Sequence, residues 1–254
     1  MWFPKLGYWS GRIVYLDTHA GRGKHTGGQL GSPLVALRTL LEHRFRDELL
    51  KRSEVVFFFI ERDESNLNSL RQEIQSLGVL PKRIVIKTVA SDCFEALSSL
   101  VASFDQRKMR LAPAFLFVDP YGFKVPGKVL KDLMKFPRVE LLVNVIWREL
   151  DMAISQGSKV GMAKTLNLIF DGDEWRGRIV SPDFDERADQ AVDLLREKIG
   201  ARWATFVRML GENRATHYFL LHLTNHDDGR DLIDRKSTRL NSSHIQKSRM
   251  PSSA

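Results

Sequence analysis

The stretch Tyr15-Leu-Asp-Thr-His-Ala-Gly-Arg-Gly-Lys-His-Thr-Gly-Gly-Gln-Leu-Gly-Ser-Pro33 decides how this chain is read. An apolar run over residues 12–16 leads into Asp17. Gly21, Gly23, Gly27, Gly28 and Gly31 follow, and Ser32-Pro33 then opens a helix. Ser32 suits the N-cap and Pro33 the first helical turn. Strand, glycine-rich loop and helix start together turn backbone N–H groups toward a charged small molecule, as in Rossmann-like folds. Glycine serves there because tight turns take positive φ and because a Cβ would hold the ligand off the backbone. Gly21 and Gly23 are therefore candidate cofactor-binding positions, with a nucleotide-like cofactor as the ligand.

Outward from the loop, Leu34, Leu37, Leu40 and Leu41 fall at helical spacing over residues 33–42, with a charged continuation to about Lys51. Residues 54–60, Glu-Val-Val-Phe-Phe-Phe-Ile, form an unbroken run that ends at Glu61 and suits a strand buried on both faces of a parallel sheet. The alternation continues as a helix over 63–77, a strand over 83–88 and a helix over 92–104. A strand over 114–118, a short helix over 128–135 and a strand over 139–147 follow. The pattern weakens over 148–187, where 160–170 still reads as helix. A helix over 187–199 precedes two strands, 204–210 and 216–223, joined as a hairpin by Gly211-Glu-Asn-Arg214. A tight hairpin cannot belong to a purely parallel sheet, so the last strand is expected to run antiparallel at one edge. Five parallel strands and one reversed strand are the layout of the S-adenosylmethionine-dependent methyltransferase fold. The expected class is thus α/β, a Rossmann-like and mostly parallel sheet with a C-terminal antiparallel hairpin.

A chain of 254 residues, 43% apolar and 28% charged, can bury the core of one domain. Its formal net charge is +8, but residues 235–254 carry five positive charges and no acid, which leaves +3 elsewhere. That terminal stretch has no apolar period and resembles translated sequencing-adaptor read-through at nearly every position. The domain is therefore placed at residues 1–234, truncated at its C-terminal end, with 235–254 a non-native disordered tail. A basic tail that binds phosphates is the alternative. Cys93 is the single cysteine, which excludes an internal disulfide framework and a Cys-cluster metal site. No apolar run approaches the ~20 residues of a membrane span, and Met1-Trp-Phe-Pro-Lys5 has no signal-peptide pattern. A cytoplasmic protein without membrane association is expected.

In open α/β sheets, ligands lie beyond the carboxyl ends of the strands. Asp17, Glu61 and Asp119 end or follow three of the first four strands, and Asp92 follows the third. Glu61 could accept hydrogen bonds from a ribose diol, or be an exposed loop acid. Asp92 could accept from an adenine amino group, or cap the helix it precedes. Asp17 could orient the glycine loop or meet a cationic ammonium and sulfonium, or be a structural turn residue. Asp119-Pro-Tyr-Gly122 resembles the Asp-Pro-Pro-Tyr motif of amino-directed nucleic-acid methyltransferases, although Gly122 replaces the expected aromatic. Asp119 and Tyr121 are the candidate catalytic residues, with a plain turn as the alternative. Trp147-Arg148 could line the acceptor pocket, and His19, Lys24 and His25 could meet a carboxylate or phosphate. Cys93 reads as a small helix residue. His217, His222 and His226 lack metal-ligand company, so no metal site is expected. Arg187, Arg196, Lys198 and Arg202 are a candidate basic patch for nucleic acid.

Leu16-Asp-Thr-His-Ala-Gly-Arg-Gly-Lys24, Gly31-Ser-Pro33, Ile60-Glu61, Phe117-Val-Asp-Pro-Tyr-Gly-Phe123 and Leu168-Ile-Phe-Asp-Gly-Asp-Glu-Trp175, in that order, resemble the three-Cys-motif partner protein family. The likeness extends over most of residues 12–233 and includes the strand 218–226. It implies a methyltransferase-like Rossmann domain, bacterial in most members, whose partner is a protein with a three-cysteine motif. Thr18-His19 stand where the family usually has an aliphatic and then an aromatic residue, and Arg22 where it often has proline. The expected function is an S-adenosylmethionine-dependent methyltransferase acting on an amine or hydroxyl acceptor, nucleic acid among the candidates. Asp17, Gly21, Gly23, Glu61 and Asp92 would hold the cofactor. The alternative is a non-catalytic module that docks to the three-cysteine protein.

Overall fold

A computed structural model describes residues 7, 9–108, 110–210 and 216–227, in two compact units, Met1–Asp119 and Pro120–Ala254. The expected tail 235–254 lies outside the described residues, as does the expected turn 211–214.

The first unit contains β1 (Arg12–Asp17), α1 (Ser32–Leu41), α2 (Arg46–Arg52), β2 (Glu54–Glu61), α3 (Glu64–Gln75), β3 (Ile84–Ala90), α4 (Cys93–Gln106) and β4 (Ala114–Val118). Its strands are parallel in the order β3-β2-β1-β4, with Asp17 opposite both Phe59 and Phe117. Alternation along β2 assigns its two faces. Val55, Phe57 and Phe59 join a core with Leu37 of α1 and with Leu67 and Leu70 of α3. Val56, Phe58 and Ile60 face the other side, where Phe58 is only half-buried. Burial of β2 on both faces, expected from its apolar run, is therefore incomplete.

Helix ends account for two further departures. Gly31, not Ser32, is the N-cap of α1, and the helix already includes Ser32. The charged continuation to Lys51 breaks after Leu41 and restarts as α2, because the Arg46 guanidinium donates to the Leu41 carbonyl at 2.9 Å and satisfies an end group of α1. Asp63 caps α3 by accepting from the Asn66 N–H at 2.9 Å.

The second unit contains α5 (Gly127–Met134), β5 (Val139–Val145), α6 (Trp147–Ser155), α7 (Val160–Ile169), α8 (Trp175–Arg178), α9 (Phe184–Ile199), β6 (Trp203–Leu210) and β7 (Thr216–Thr224). Helix α9 begins earlier than its apolar spacing suggests, because Asp183 accepts from the Asp185 and Glu186 N–H groups at 2.9 and 2.8 Å. β6 and β7 pair antiparallel as expected, but β7 lies between β5 and β6 and opposes both. The reversed strand is thus interior, and β6 takes the edge. The strand order is β3-β2-β1-β4 in the first unit and β5-β7-β6 in the second. This is the α/β, Rossmann-like methyltransferase fold, mostly parallel with antiparallel C-terminal strands. Among the described residues no helix is long and apolar enough to cross a membrane.

Candidate functional site

β1 ends by carrying Asp17 into full burial at 0% exposure. Its Oδ1 accepts the His19 N–H at 3.2 Å, while Oδ2 has no hydrogen-bond partner among the described residues. Burial pushes the carboxyl up to about 7, and the charges of Asp119 and Glu61 push the same way. The nearby Ser32 hydroxyl and the His19 N–H pull it down. Asp119, Glu61 and Asp92 also lie within electrostatic reach of His19. Four acids from four strand ends are therefore brought to one place in the first unit, as parallel strands of one sheet require.

Glu61 builds this place as well as charging it. Its Oε2 accepts the Gly21 N–H at 2.8 Å, and its Oε1 accepts the Asp63 N–H at 2.8 Å. Each carboxylate oxygen keeps a further lone pair for a ligand hydroxyl. Gly21 and Gly23 adopt φ of +62° and +88°, which side chains rarely tolerate, and a Cβ on Gly23 would meet Leu70 at 3.1 Å. Beyond Gly23 the chain folds into a short tongue, with Lys24 bridged to Leu30 and the Gly31 N–H donating to the Gly23 carbonyl at 2.7 Å. Lys24 spends its ammonium on Glu73 at 2.5 Å, and His25 is exposed on the tongue. With a loop N–H already bound to a carboxylate and acids around it, the crevice repels a phosphate and favours a cation.

Asp92 does cap α4, accepting from the Phe94 and Glu95 N–H groups at 2.9 and 3.2 Å, both through Oδ1. His19 is half-buried. Its Nδ1 meets the Thr18 hydroxyl at 2.7 Å, its Nε2 meets the Cys93 Sγ at 3.3 Å, and its ring stands edge-on to Phe94. Burial lowers its pKa against the pull of the surrounding acids. Cys93 is buried and its thiol is pushed up to about 12, first by desolvation and then by Asp92, which leaves it protonated and inert. The His19–Cys93 contact joins residues 74 positions apart, and only the aromatic place that His19 fills in the loop hinted at a packing role.

Asp119 is half-buried just beyond β4. Tyr121 opens the second unit with its ring fully exposed. Trp147 does not line a pocket: it is fully buried, packed against Phe184 and Phe219 with centroids 5.7 and 6.0 Å away. Three of the four side chains of the expected basic patch are paired with acids, Arg202 at the exposed surface. Arg187 forms a two-pronged bridge to Asp151, Lys198 pairs with Glu174, and Arg202 pairs with Asp227. The Arg196 Nε is buried. His222 is buried against Glu140 at 3.0 Å, while His217 and His226 are exposed. Among the described residues no group of three or more His, Cys, Asp or Glu side chains could hold a metal ion.

No protein-family model matches the chain, and no curated protein sequence does. Among solved structures, protein LPL1258 from Legionella pneumophila is similar, at 14% identity over 97% of this chain and 91% of that one, with a TM-score of 0.51. The methyltransferase domain of bacterial CtHen1 is similar at 13% identity, over 87% of this chain and 93% of that one, with a TM-score of 0.41. A SAM-dependent methyltransferase from Methanosarcina mazei is similar at 10% identity, over 84% and 92% of the two chains, with a TM-score of 0.38. At these identities the likeness is one of fold.

Proposed function

We propose that the first unit binds S-adenosylmethionine and that the chain is a methyltransferase acting on an amine or hydroxyl acceptor. The observation that carries this reading is Asp17, fully buried with its Oδ2 lacking a hydrogen-bond partner among the described residues, beside Glu61 and Asp119. A buried carboxylate at the end of β1 calls for an organic cation, and this cofactor has two cationic groups, an ammonium and a sulfonium. The sulfonium supplies the methyl group. Asp17 neutralises the cation, Gly21 and Gly23 let the loop approach it, and Glu61 and the second oxygen of Asp92 receive the ribose and adenine. Asp119 holds the acceptor and takes its proton.

Calorimetric titration with S-adenosylmethionine tests this. Saturable binding that Asp17→Asn removes is expected, and absence of heat at high protein concentration overturns the proposal. A second reading is favoured by one observation: both Glu61 oxygens already accept from backbone N–H groups. In that reading the fold is a non-catalytic module that docks to a three-cysteine protein. Co-purification with that partner without cofactor heat would select it.

A further inference from the structure

The side of β2 that faces away from α1 and α3 opens into a cleft of about 460 Å3, lying between the sheet and α4 within the first unit. Its floor is Leu16, Phe58, Ile60 and Val89, one residue or two from each of β1, β2 and the edge strand β3. Its wall is Ala96, Leu97 and Leu100, with Ser99 and Ser103 interleaved. The volume falls within the ~300–1,000 Å3 of small-molecule sites. An apolar face of a parallel sheet is normally covered by the protein's own helices. Here α4 stands clear of Phe58, so the floor is left half-open to solvent.

The polar groups give the cleft a direction. Lys87 pairs with Phe58 across the β2–β3 register, and strand alternation puts it on the same face as Val89. It is exposed and forms no ion pair among the described residues. At 3.3 Å per residue Lys87 lies about 13 Å back along β3 from Ser91. At 1.5 Å per residue Ser103 lies about 15 Å along α4 from Cys93. Helix α4 packs against β2 and runs back from the Ser91 end toward Ser103, whose hydroxyl donates to the Leu100 carbonyl at 2.8 Å. The Lys87 ammonium, beside Phe58 in the strand register, is therefore the charged group nearest that end of the cleft. Glu95 and Ser91 mark the other end, nearer the strand-end acids. An anion is thus welcome at the Lys87 end and repelled at the Glu95 end.

We propose that this cleft is a binding site for a small amphiphile, an aromatic or aliphatic body that covers Phe58 and carries one carboxylate, sulfonate or similar anionic group against Lys87. This site is independent of the cofactor crevice: the crevice is acidic and takes a cation, whereas the cleft is apolar and takes an anion. Occupation closes the gap that α4 leaves over the sheet, so the ligand completes the core of the first unit from outside.

The test is fluorescence titration of the full chain with 1-anilinonaphthalene-8-sulfonate, with decanoate as competitor and N-phenyl-1-naphthylamine as the uncharged control. Saturable one-to-one binding displaced by decanoate is expected. Lys87→Glu should weaken the sulfonate roughly tenfold, since attraction becomes repulsion, and leave the uncharged probe unchanged. Ser99→Trp should fill the cleft and abolish binding of both probes, with the melting temperature unchanged because Ser99 is exposed. If that variant melts early, Ser103→Phe replaces it. Unsaturable binding, or binding that ignores the filled cleft, overturns the proposal. So does a concentration-dependent dimer, abolished by Ser99→Trp, that excludes the probe, because a second copy then covers the floor. S-adenosylmethionine heat measured on the same variants reports the crevice separately.

Discussion

Glu61 holds the Gly21 N–H at 2.8 Å, across 40 residues of chain. The end of β2 thereby fixes the turn of the glycine loop that leaves β1. The same carboxylate ties down the Asp63 N–H, one residue before α3 starts. One acid thus locks a loop and the entry to a helix, with spare lone pairs facing the crevice.

Glu61→Ala should weaken S-adenosylmethionine binding by roughly 1–3 kcal/mol, the scale of hydrogen bonds lost in a partly buried site. It should also speed hydrogen exchange at Gly21, whereas Glu61→Gln, which keeps an acceptor, should lie between the two. Unchanged exchange at Gly21 in the alanine variant would contradict the clamp.

Asp17 makes stability depend on pH in a direction unusual for an acid. Its folded pKa of about 7 stands above the ordinary 3.8, so the folded chain keeps a proton that the unfolded chain releases. Its contribution to stability is full below about pH 3.8 and is lost as pH rises through 7. Asp17→Asn should therefore melt later than the parent above pH 7, by the equivalent of about 2–4 kcal/mol, with the curves converging in acid. Cofactor affinity in the parent should instead rise across pH 7, as Asp17 ionises to meet the cation. Parallel melting curves for the two proteins would count against a buried proton.

Cys93 should resist a thiol-reactive disulfide reagent in the native protein at pH 8, because its pKa of about 12 leaves almost no thiolate. Full reaction is expected in urea. Cys93→Ala should cost about 0.5–1.5 kcal/mol by removing the His19 Nε2 partner. Rapid native labelling would show that the thiol is not buried as described.

Arg187→Ala should destabilise the second unit by about 3 kcal/mol, because it strands Asp151, a carboxylate with 12% of its side chain exposed. Arg187 also donates to the Ser181 and Pro182 carbonyls at 3.0 Å each, so Arg187→Lys should restore only part of the loss. Urea unfolding reads both. Salt-dependent loss of nucleic-acid binding in this variant, with stability intact, would return Arg187 to a surface role.

The parts of the fold that were legible are those where local pattern and sheet geometry agree. The runs at 54–60 and 114–118 had to be strands, and parallel strands deliver Asp17, Glu61 and Asp119 to one edge whatever the packing between them. The neighbours of β7 were not legible, since two strands that pair as a hairpin carry no local mark of which one lies at the edge. Trp147 looked available because it follows an apolar strand. Its burial comes from Phe184 and Phe219, far away in sequence. The same distance hid the Arg187–Asp151 bridge and the His19–Cys93 contact. Phe58 misled for the opposite reason: its run is apolar enough for a fully covered strand, and only the placement of α4 shows that it is not.

The tongue between Gly23 and Gly31 has a practical consequence. Its base is closed by its own backbone, through the Gly31 N–H and the Lys24–Leu30 bridge, and its tip reaches exposed His25, Thr26 and Gln29. Length and composition beyond that closure are mechanically uncoupled from the two positive-φ glycines behind it. A fluorophore or short epitope grafted at the tip would therefore report from the rim of the crevice without deforming it.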